Sequence, residues 1–474
     1  MQLVDREKEL RELRQLTSRK GPSIALLYGR RRIGKTFLLD HAWEDPFYFL
    51  AADTSSKMNR MDLLRELKSW AGVELELEDF PTWRSVFRLM IRLAAKKPLI
   101  VILDEFQHLM GREDDIVSQL VAVWDREVAD LQLSLVLCGS EESMMERLAG
   151  GDSALYGRVG WSARLSPFDY CDSSLMLTGR AFRELAYFYG ILGGIPHFLA
   201  AVRPDERLQE AIGRLVLSPR GEIHLQLENL IAQERGIRHT SEYDAVLRAV
   251  ARGSTKLSKI ASGAGLSERP HVARRALDIL QKLRLVSRQR NFRSHRRAQY
   301  RYEIADNAVL FWHRFVEPNR SMLEREHIRP VWEQRIRPNL DTYMGVVYES
   351  MAIEYLERFG QTRDLPAMAE TAGWQGRDRN RRSIEIDLVC ELESGELLTG
   401  EVKWSSKPVD PRVHFSLRRD LEDLSNSGKA WAGNALKGYH IYFSAGGFTE
   451  PLLNAAEKND RIRLVDLEDM YATR

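Results

Sequence analysis

Hydrophobic and polar positions in the first part of the chain fall into short unbroken apolar runs separated by helical stripes. Ile24-Ala-Leu-Leu-Tyr28 is an apolar run of strand length, and Phe37-Leu-Leu-Asp-His-Ala-Trp43 behind it has helical spacing. Leu99-Ile-Val-Ile-Leu103 and Leu133-Ser-Leu-Val-Leu-Cys138 repeat the strand pattern. Runs without a polar face predict strands buried on both sides, as in a parallel sheet covered by helices. In the middle, Tyr243 to Ala251, Leu257 to Ser262 and Pro270 to Leu283 read as three short helices, the second closed by Gly263-Ala-Gly265. Val272, Ala276, Leu277, Ile279 and Leu280 supply the apolar positions of the third, which Ser267 precedes as a cap. Leu285-Val-Ser-Arg288 and Gln299 to Ile304 form a return, which completes a winged helix-turn-helix pattern. Further on, Tyr343 to Phe359 is an amphipathic helix, and two alternating runs, Ser383 to Cys390 and Leu397 to Trp404, flank the turn Glu393-Ser-Gly-Glu396. A helix from Phe415 and a strand at Tyr439 to Ser444 follow.

The first strand runs straight into Gly29-Arg30-Arg31-Arg32-Ile33-Gly34-Lys35-Thr36, with Phe37 opening the helix. Glycines between a strand and a helix let the backbone wrap phosphates, and the amides at the helix start point at negative charge. ATP is therefore the expected ligand, bound by Gly29 to Phe37. Lys35 would reach the β- and γ-phosphates, and Thr36 would hold Mg²⁺. The run from Leu99 ends in Asp104-Glu105, placing one carboxylate for Mg²⁺ and one to polarise the attacking water. The run from Leu133 ends in Gly139-Ser140, with Ser140 placed to sense the γ-phosphate. Arg158, after the turn at Gly157, would stabilise charge on that phosphate, in cis or from a neighbouring copy in a homo-oligomer; as a bare sequence feature it also reads as a surface arginine.

Taken in order, Asp5-Arg6-Glu7-Lys8-Glu9-Leu10, the phosphate loop, Leu103-Asp-Glu-Phe-Gln107, Cys138-Gly-Ser140, Leu155-Tyr-Gly-Arg158 and Gly193-Gly-Ile-Pro196 resemble the archaeal-type ATPases of the AAA+/STAND group, found in archaea and bacteria. The resemblance implies an AAA+-like P-loop core over 1–170, a helical lid over 171–235, a winged helix over 236–310 and a further domain over 335–474. It also makes the three loop arginines family character. Gly193-Gly-Ile-Pro196 would be a turn in the lid, though it equally reads as a helix C-cap followed by a helix-starting proline. His197 beyond it reads as structural.

Glu401 and Lys403 lie two apart on one strand and share a face, with Asp387 on the partner strand. Two carboxylates and a lysine, backed by Glu349 on the helix, suit a divalent metal (Mg²⁺ or Mn²⁺) and an activated water. Asp387, Glu401 and Glu349 would be ligands, with Lys403 orienting the water or steadying the pentavalent phosphate. The same spacing also describes an ion pair on an exposed strand. The pattern resembles the PD-(D/E)XK nuclease, or restriction-endonuclease-like, fold, whose members do not all cleave.

Charge adds a partner. From Arg269 to Tyr302 there are eleven Lys/Arg residues and one acid, Asp278. Arg274, Arg275 and Lys282 on the third helix, and Arg288, Arg290, Arg293, Arg296 and Arg297 on the wing, would lie against DNA phosphates; such modules also serve as protein contacts. The basic loop Arg377 to Arg382 points the same way. At 474 residues, 44% hydrophobic and with a net charge of +2, the chain reads as several globular domains whose nucleic-acid affinity must come from local patches. Three scattered cysteines exclude a disulfide framework or zinc spacing. A polar N-terminus and strand-length apolar runs lead to the expectation of a cytoplasmic protein without membrane contact. The expected function is ATP hydrolysis joined to DNA binding and a metal-dependent nuclease-like domain. The alternative is an ATP-driven switch or transcription regulator whose last domain binds without cutting.

Overall fold

The structure, a computed structural model, describes residues 4–110, 115–128, 130–231, 240–294, 300–360 and 367–472. Two compact units divide the chain: Met1–Pro167 with Ile195–His197, and Phe168–Gly194 with Phe198–Arg474. No helix among the described residues is long and apolar enough to cross a membrane.

The first unit is built on five strands: β1 (Ser23–Tyr28), β2 (Phe47–Leu50), β3 (Leu99–Asp104), β4 (Leu133–Gly139) and β5 (Val159–Arg164). They stand in the order β2-β3-β4-β1-β5, all parallel. The unbroken apolar runs have their reason here, since every residue of β4 and four of the six in β1 are buried. One face packs on Trp83, Val86, Phe87 and Met90 of the helix Trp83–Ala94, which Thr82 and Ser85 start with a reciprocal capping box. The other packs on Leu13, Leu16, Leu38 and Leu39. Because the strands are parallel, the residues following β1, β3 and β4 emerge at one edge of the sheet, where open α/β sheets bind ligands.

In the second unit, helices Phe182–Leu192, Leu208–Ile212 and Glu222–Glu228 precede three more, Thr240–Ala251, Leu257–Gly263 and Pro270–Lys282. An antiparallel hairpin follows, β6 (Val286–Arg290) and β7 (Tyr300–Ile304). After the long helix Leu340–Phe359 comes a second five-stranded sheet: β8 (Met368–Arg377), β9 (Ser383–Leu392), β10 (Leu397–Lys403), β11 (Tyr439–Ser444) and β12 (Ile462–Asp466). Its order is β12-β11-β10-β9-β8, with β9 antiparallel to both neighbours and β10, β11 and β12 mutually parallel. The helix Arg412–Asn426 supplies the crossover between β10 and β11 and buries Leu417, Leu421 and Leu424.

The hairpin is packed onto this sheet. Phe292 is buried among Trp374, Trp431 and Ile384, its ring edge-on to Trp431 at 5.5 Å, and its N–H donates to the Gly373 carbonyl at 3.0 Å. The Asn291 side chain closes on Gln375, donating to its carbonyl at 2.6 Å and accepting its N–H at 3.2 Å.

Glu354, on Leu340–Phe359, accepts the Tyr189 hydroxyl at 2.6 Å and the Tyr170 N–H at 3.1 Å. Burial outweighs these bonds and pushes its carboxyl up to about 8. An unfolded chain releases this proton near the usual glutamate value, whereas the folded one keeps it. Stability is therefore expected to be full below that value and to fall by up to ~1.4 kcal/mol per pH unit between about pH 5 and 8. Glu354→Gln should remove this group's share of the slope and raise stability at pH 8, read as the urea midpoint against pH; an unchanged slope would refute the assignment.

Candidate functional sites

The loop after β1 turns at Gly29, whose φ is +154° and where a Cβ would sit 2.5 Å from the Leu165 carbonyl oxygen. Gly34, at φ +92°, starts the helix Lys35–Ala42. Ile33 anchors the loop in the core at 1% exposure, while Arg31 and Arg32 are exposed. Lys35 is buried, and its Nζ donates to the carbonyls of Gly29 (2.9 Å) and Arg30 (3.1 Å). Phe37 packs on the His41 ring at 4.2 Å.

Asp104 closes β3 and is buried. Its Oδ2 accepts the Thr36 hydroxyl at 3.1 Å and the Tyr48 hydroxyl at 2.6 Å, while Oδ1 accepts the Glu105 N–H at 2.8 Å. The hydroxyl and carboxylate named from the sequence as the Mg²⁺ pair thus meet, and a hard oxygen set of this kind fits that ion. Tyr48 projects from β2, and nothing in a Phe-Tyr-Phe-Leu strand announces a role. Burial first, then its bond to Asp104, raises its phenol well above the ordinary value.

Glu105 has left-handed backbone, φ +50° and ψ +44°. Its Oε2 accepts the Ser140 hydroxyl at 2.7 Å, so the ends of β3 and β4 are joined through these side chains. The Gln107 amide also donates to Glu105 Oε2 and to Ser140 Oγ, the latter at 3.1 Å. Arg158 is committed elsewhere. Its guanidinium makes a two-pronged pair with Asp125 at 2.7 and 2.5 Å and donates to the Ala154 carbonyl at 2.9 Å.

In the second unit, Asp387 on β9 and Glu401 and Lys403 on β10 come together. Lys403 Nζ lies 2.6 Å from Glu401 Oε2 and 3.4 Å from Asp387 Oδ2, which also accepts the Val402 N–H at 2.9 Å. Burial, then the charge of Asp387, raises Glu401 above the usual range against the pull of Lys403. Burial lowers Lys403, but Glu401 and Asp387 outweigh it and the net shift is upward. Glu349, on the long helix, is pushed up to about 8 by desolvation and by the facing Asp387, Glu385 and Glu303. Glu303 comes from β7, so the hairpin adds a carboxylate that a strand-by-strand reading could not assign. Among the described residues, no group of three or more His, Cys, Asp or Glu side chains is arranged to hold a metal ion. The ammonium of Lys403 already occupies both Asp387 and Glu401.

The cations assigned to DNA divide by partner. Arg274, Arg275 and Lys282 are exposed on the helix Pro270–Lys282. Arg288 is also exposed and lies over the Tyr300 ring at 4.3 Å. Arg290 and Arg293 are instead spent on carboxylates of the sheet, Glu370 at 2.6 Å and Glu391 at 2.7 Å. Both remain exposed while paired. Arg296 and Arg297 lie outside the described residues. In the basic loop before β9, Arg382 bridges Asp420 and Asp423, each at 2.7 Å.

Residues 3–202 match the profile of an ATPase domain predominantly from Archaea, and residues 312–413 match that of archaeal and bacterial proteins of unknown function. The chain thus carries an ATPase domain followed by a second recognised region. Uncharacterized protein MJECL04 of Methanocaldococcus jannaschii is similar at 28% identity over 480 residues, covering 98% of this chain and 99% of that protein. Two solved structures are also similar. A Walker-type ATPase of Pyrococcus abyssi shares 21% identity with a TM-score of 0.49, covering 66% of this chain and 96% of that one. The Aeropyrum pernix ORC2 protein shares 16% identity with a TM-score of 0.43, covering 69% and 95%.

Proposed function

We propose that the chain binds and hydrolyses ATP at Gly29–Phe37, binds DNA through the helix Pro270–Lys282, and carries a divalent-metal-dependent phosphodiester site at Asp387, Glu401 and Lys403. The meeting of Lys35, Thr36, Asp104, Glu105 and Ser140 at one edge of a parallel sheet carries the first part. Lys35 exchanges its loop carbonyls for the β- and γ-phosphate oxygens, stabilising charge as the γ-phosphoryl leaves. Thr36 and Asp104 would hold Mg²⁺, which would supply positive charge against the phosphates. Glu105 accepts the proton of the attacking water, and Ser140 keeps that carboxylate in place.

In the second unit, Asp387 and Glu401 supply oxygen donors of the type that Mg²⁺ or Mn²⁺ takes, and the bound ion would polarise the scissile phosphate. Once released from the two acids, Lys403 orients the attacking water. Strand order β8-β9-β10-β11 with its helical crossover supports the nuclease-like reading. The opposing reading, a switch whose last domain binds without cutting, is favoured by Lys403 bridging both acids.

DNA binding has a direct test in fluorescence anisotropy with a labelled duplex across a salt series. Each of Arg274→Ala and Arg275→Ala should weaken affinity and reduce the log–log salt slope by about 1. Arg290→Ala and Arg293→Ala should leave the slope unchanged, because those side chains serve Glu370 and Glu391. Equal losses from both pairs would refute the division.

A further inference from the structure

We propose that Gln107 is a positioning residue for ATP hydrolysis, fixing the carboxylate of Glu105 toward the attacking water. The inference rests on the reading of this edge as a hydrolytic ATP site.

The geometry is a closed ring of three side chains. Gln107 is 4% exposed, on the single turn Phe106–His108 that follows Glu105. One amide N–H goes to Glu105 Oε2 and the other to Ser140 Oγ at 3.1 Å, while the Ser140 hydroxyl donates to the same Glu105 oxygen at 2.7 Å. A carboxylate only accepts, so the amide must present its nitrogen here, and both of its hydrogens are used. Two donors on Oε2 hold one oxygen still. Oε1 takes no hydrogen bond among the described residues and is left as the basic atom.

Two features are hard to reconcile with a glutamine that merely fills space. Its Oε1 is buried and has no donor among the described residues, a cost that a packing role does not repay. Glu105 is also held in the left-handed region, where a non-glycine residue is strained, and strain of this kind gathers at functional sites. Gly139 completes the arrangement, since a Cβ there would lie 2.7 Å from the Gln107 carbonyl oxygen and 2.8 Å from Met145 Sδ. The glutamine is thus admitted to the end of β4 by the absence of a side chain on its neighbour.

A base held by two donors needs no reorientation as the proton moves, and free rotation of Glu105 would forfeit part of the 10²–10⁴-fold that general base catalysis gives. The test compares the full-length wild type with Gln107→Met, which keeps the bulk and removes the donors, and Gln107→Ala. Both should lower kcat for Mg²⁺-ATP by about 10- to 100-fold, with KM and the affinity for a non-hydrolysable ATP analogue unchanged. Combined with Ser140→Ala, the loss should be no greater than that of the worse single variant, as for groups acting as a unit. Unchanged kcat in a folded Gln107→Met would overturn the inference alone. So would equal losses of kcat, analogue affinity and melting temperature, which mark a structural residue. A wild type that binds the analogue but releases no phosphate would overturn both the hydrolytic reading and this inference.

Discussion

Lys35→Ala is expected to reduce ATP turnover by at least ~10²-fold while leaving the fold intact. The lysine is buried beneath the loop, where its ammonium donates to two carbonyls. Its loss leaves those acceptors without a donor and should cost about 1–3 kcal/mol of stability, too little to unfold a domain of this size. In the reaction its charge would face the phosphoryl oxygens, and removing one such group typically costs ~3–4 kcal/mol of transition-state stabilisation. Phosphate release and a melting curve on the same preparation separate the two effects. Turnover equal to wild type would refute the assignment of this loop.

The second large effect belongs to the other unit. Asp387→Ala and Lys403→Ala should each lower Mg²⁺- or Mn²⁺-dependent DNA cleavage by about 10²-fold or more, because a metal or ammonium at a transferring phosphate is worth several kcal/mol. ATP turnover should be unaffected. The two variants differ in their side effects. Asp387→Ala also strips an acceptor from the Val402 N–H, whereas Lys403→Ala leaves Glu401 and Asp387 facing each other uncompensated. Asp387→Asn keeps an acceptor for Val402 and serves as the folding control. If the wild type cuts neither single-stranded, duplex nor branched DNA, with or without ATP, the nuclease reading falls and a binding role for this domain takes its place.

Local patterns were the legible part of this chain. A phosphate loop is a contiguous string, and the apolar runs beside it report strands buried on both faces, so Lys35, Thr36 and Asp104 are legible as candidates in the sequence alone. Glu401 and Lys403 were legible because a strand repeats every two residues. What pairs with a charge is not local. The wing arginines read as a phosphate-facing run because nothing nearby opposes them, yet Glu370 lies 80 residues from Arg290 and Glu391 lies 98 from Arg293. Asp125, which pairs with Arg158, lies 33 residues from it. Tyr48 and Glu303 carry no local signal, each an ordinary residue for its element, and Gln107 stands in the Leu-Asp-Glu-Phe-Gln string without its partners being legible there. Strand order has the same character, since the apolar run at β1 does not reveal that β4 and β5 will be its neighbours.

The most direct test of ATP hydrolysis at the edge of β1, β3 and β4 is a phosphate-release time course with full-length protein, Mg²⁺ and excess ATP. Many phosphates per chain are expected, abolished by EDTA and by Lys35→Ala. A folded wild-type chain that binds ATP yet releases no phosphate above background would contradict it.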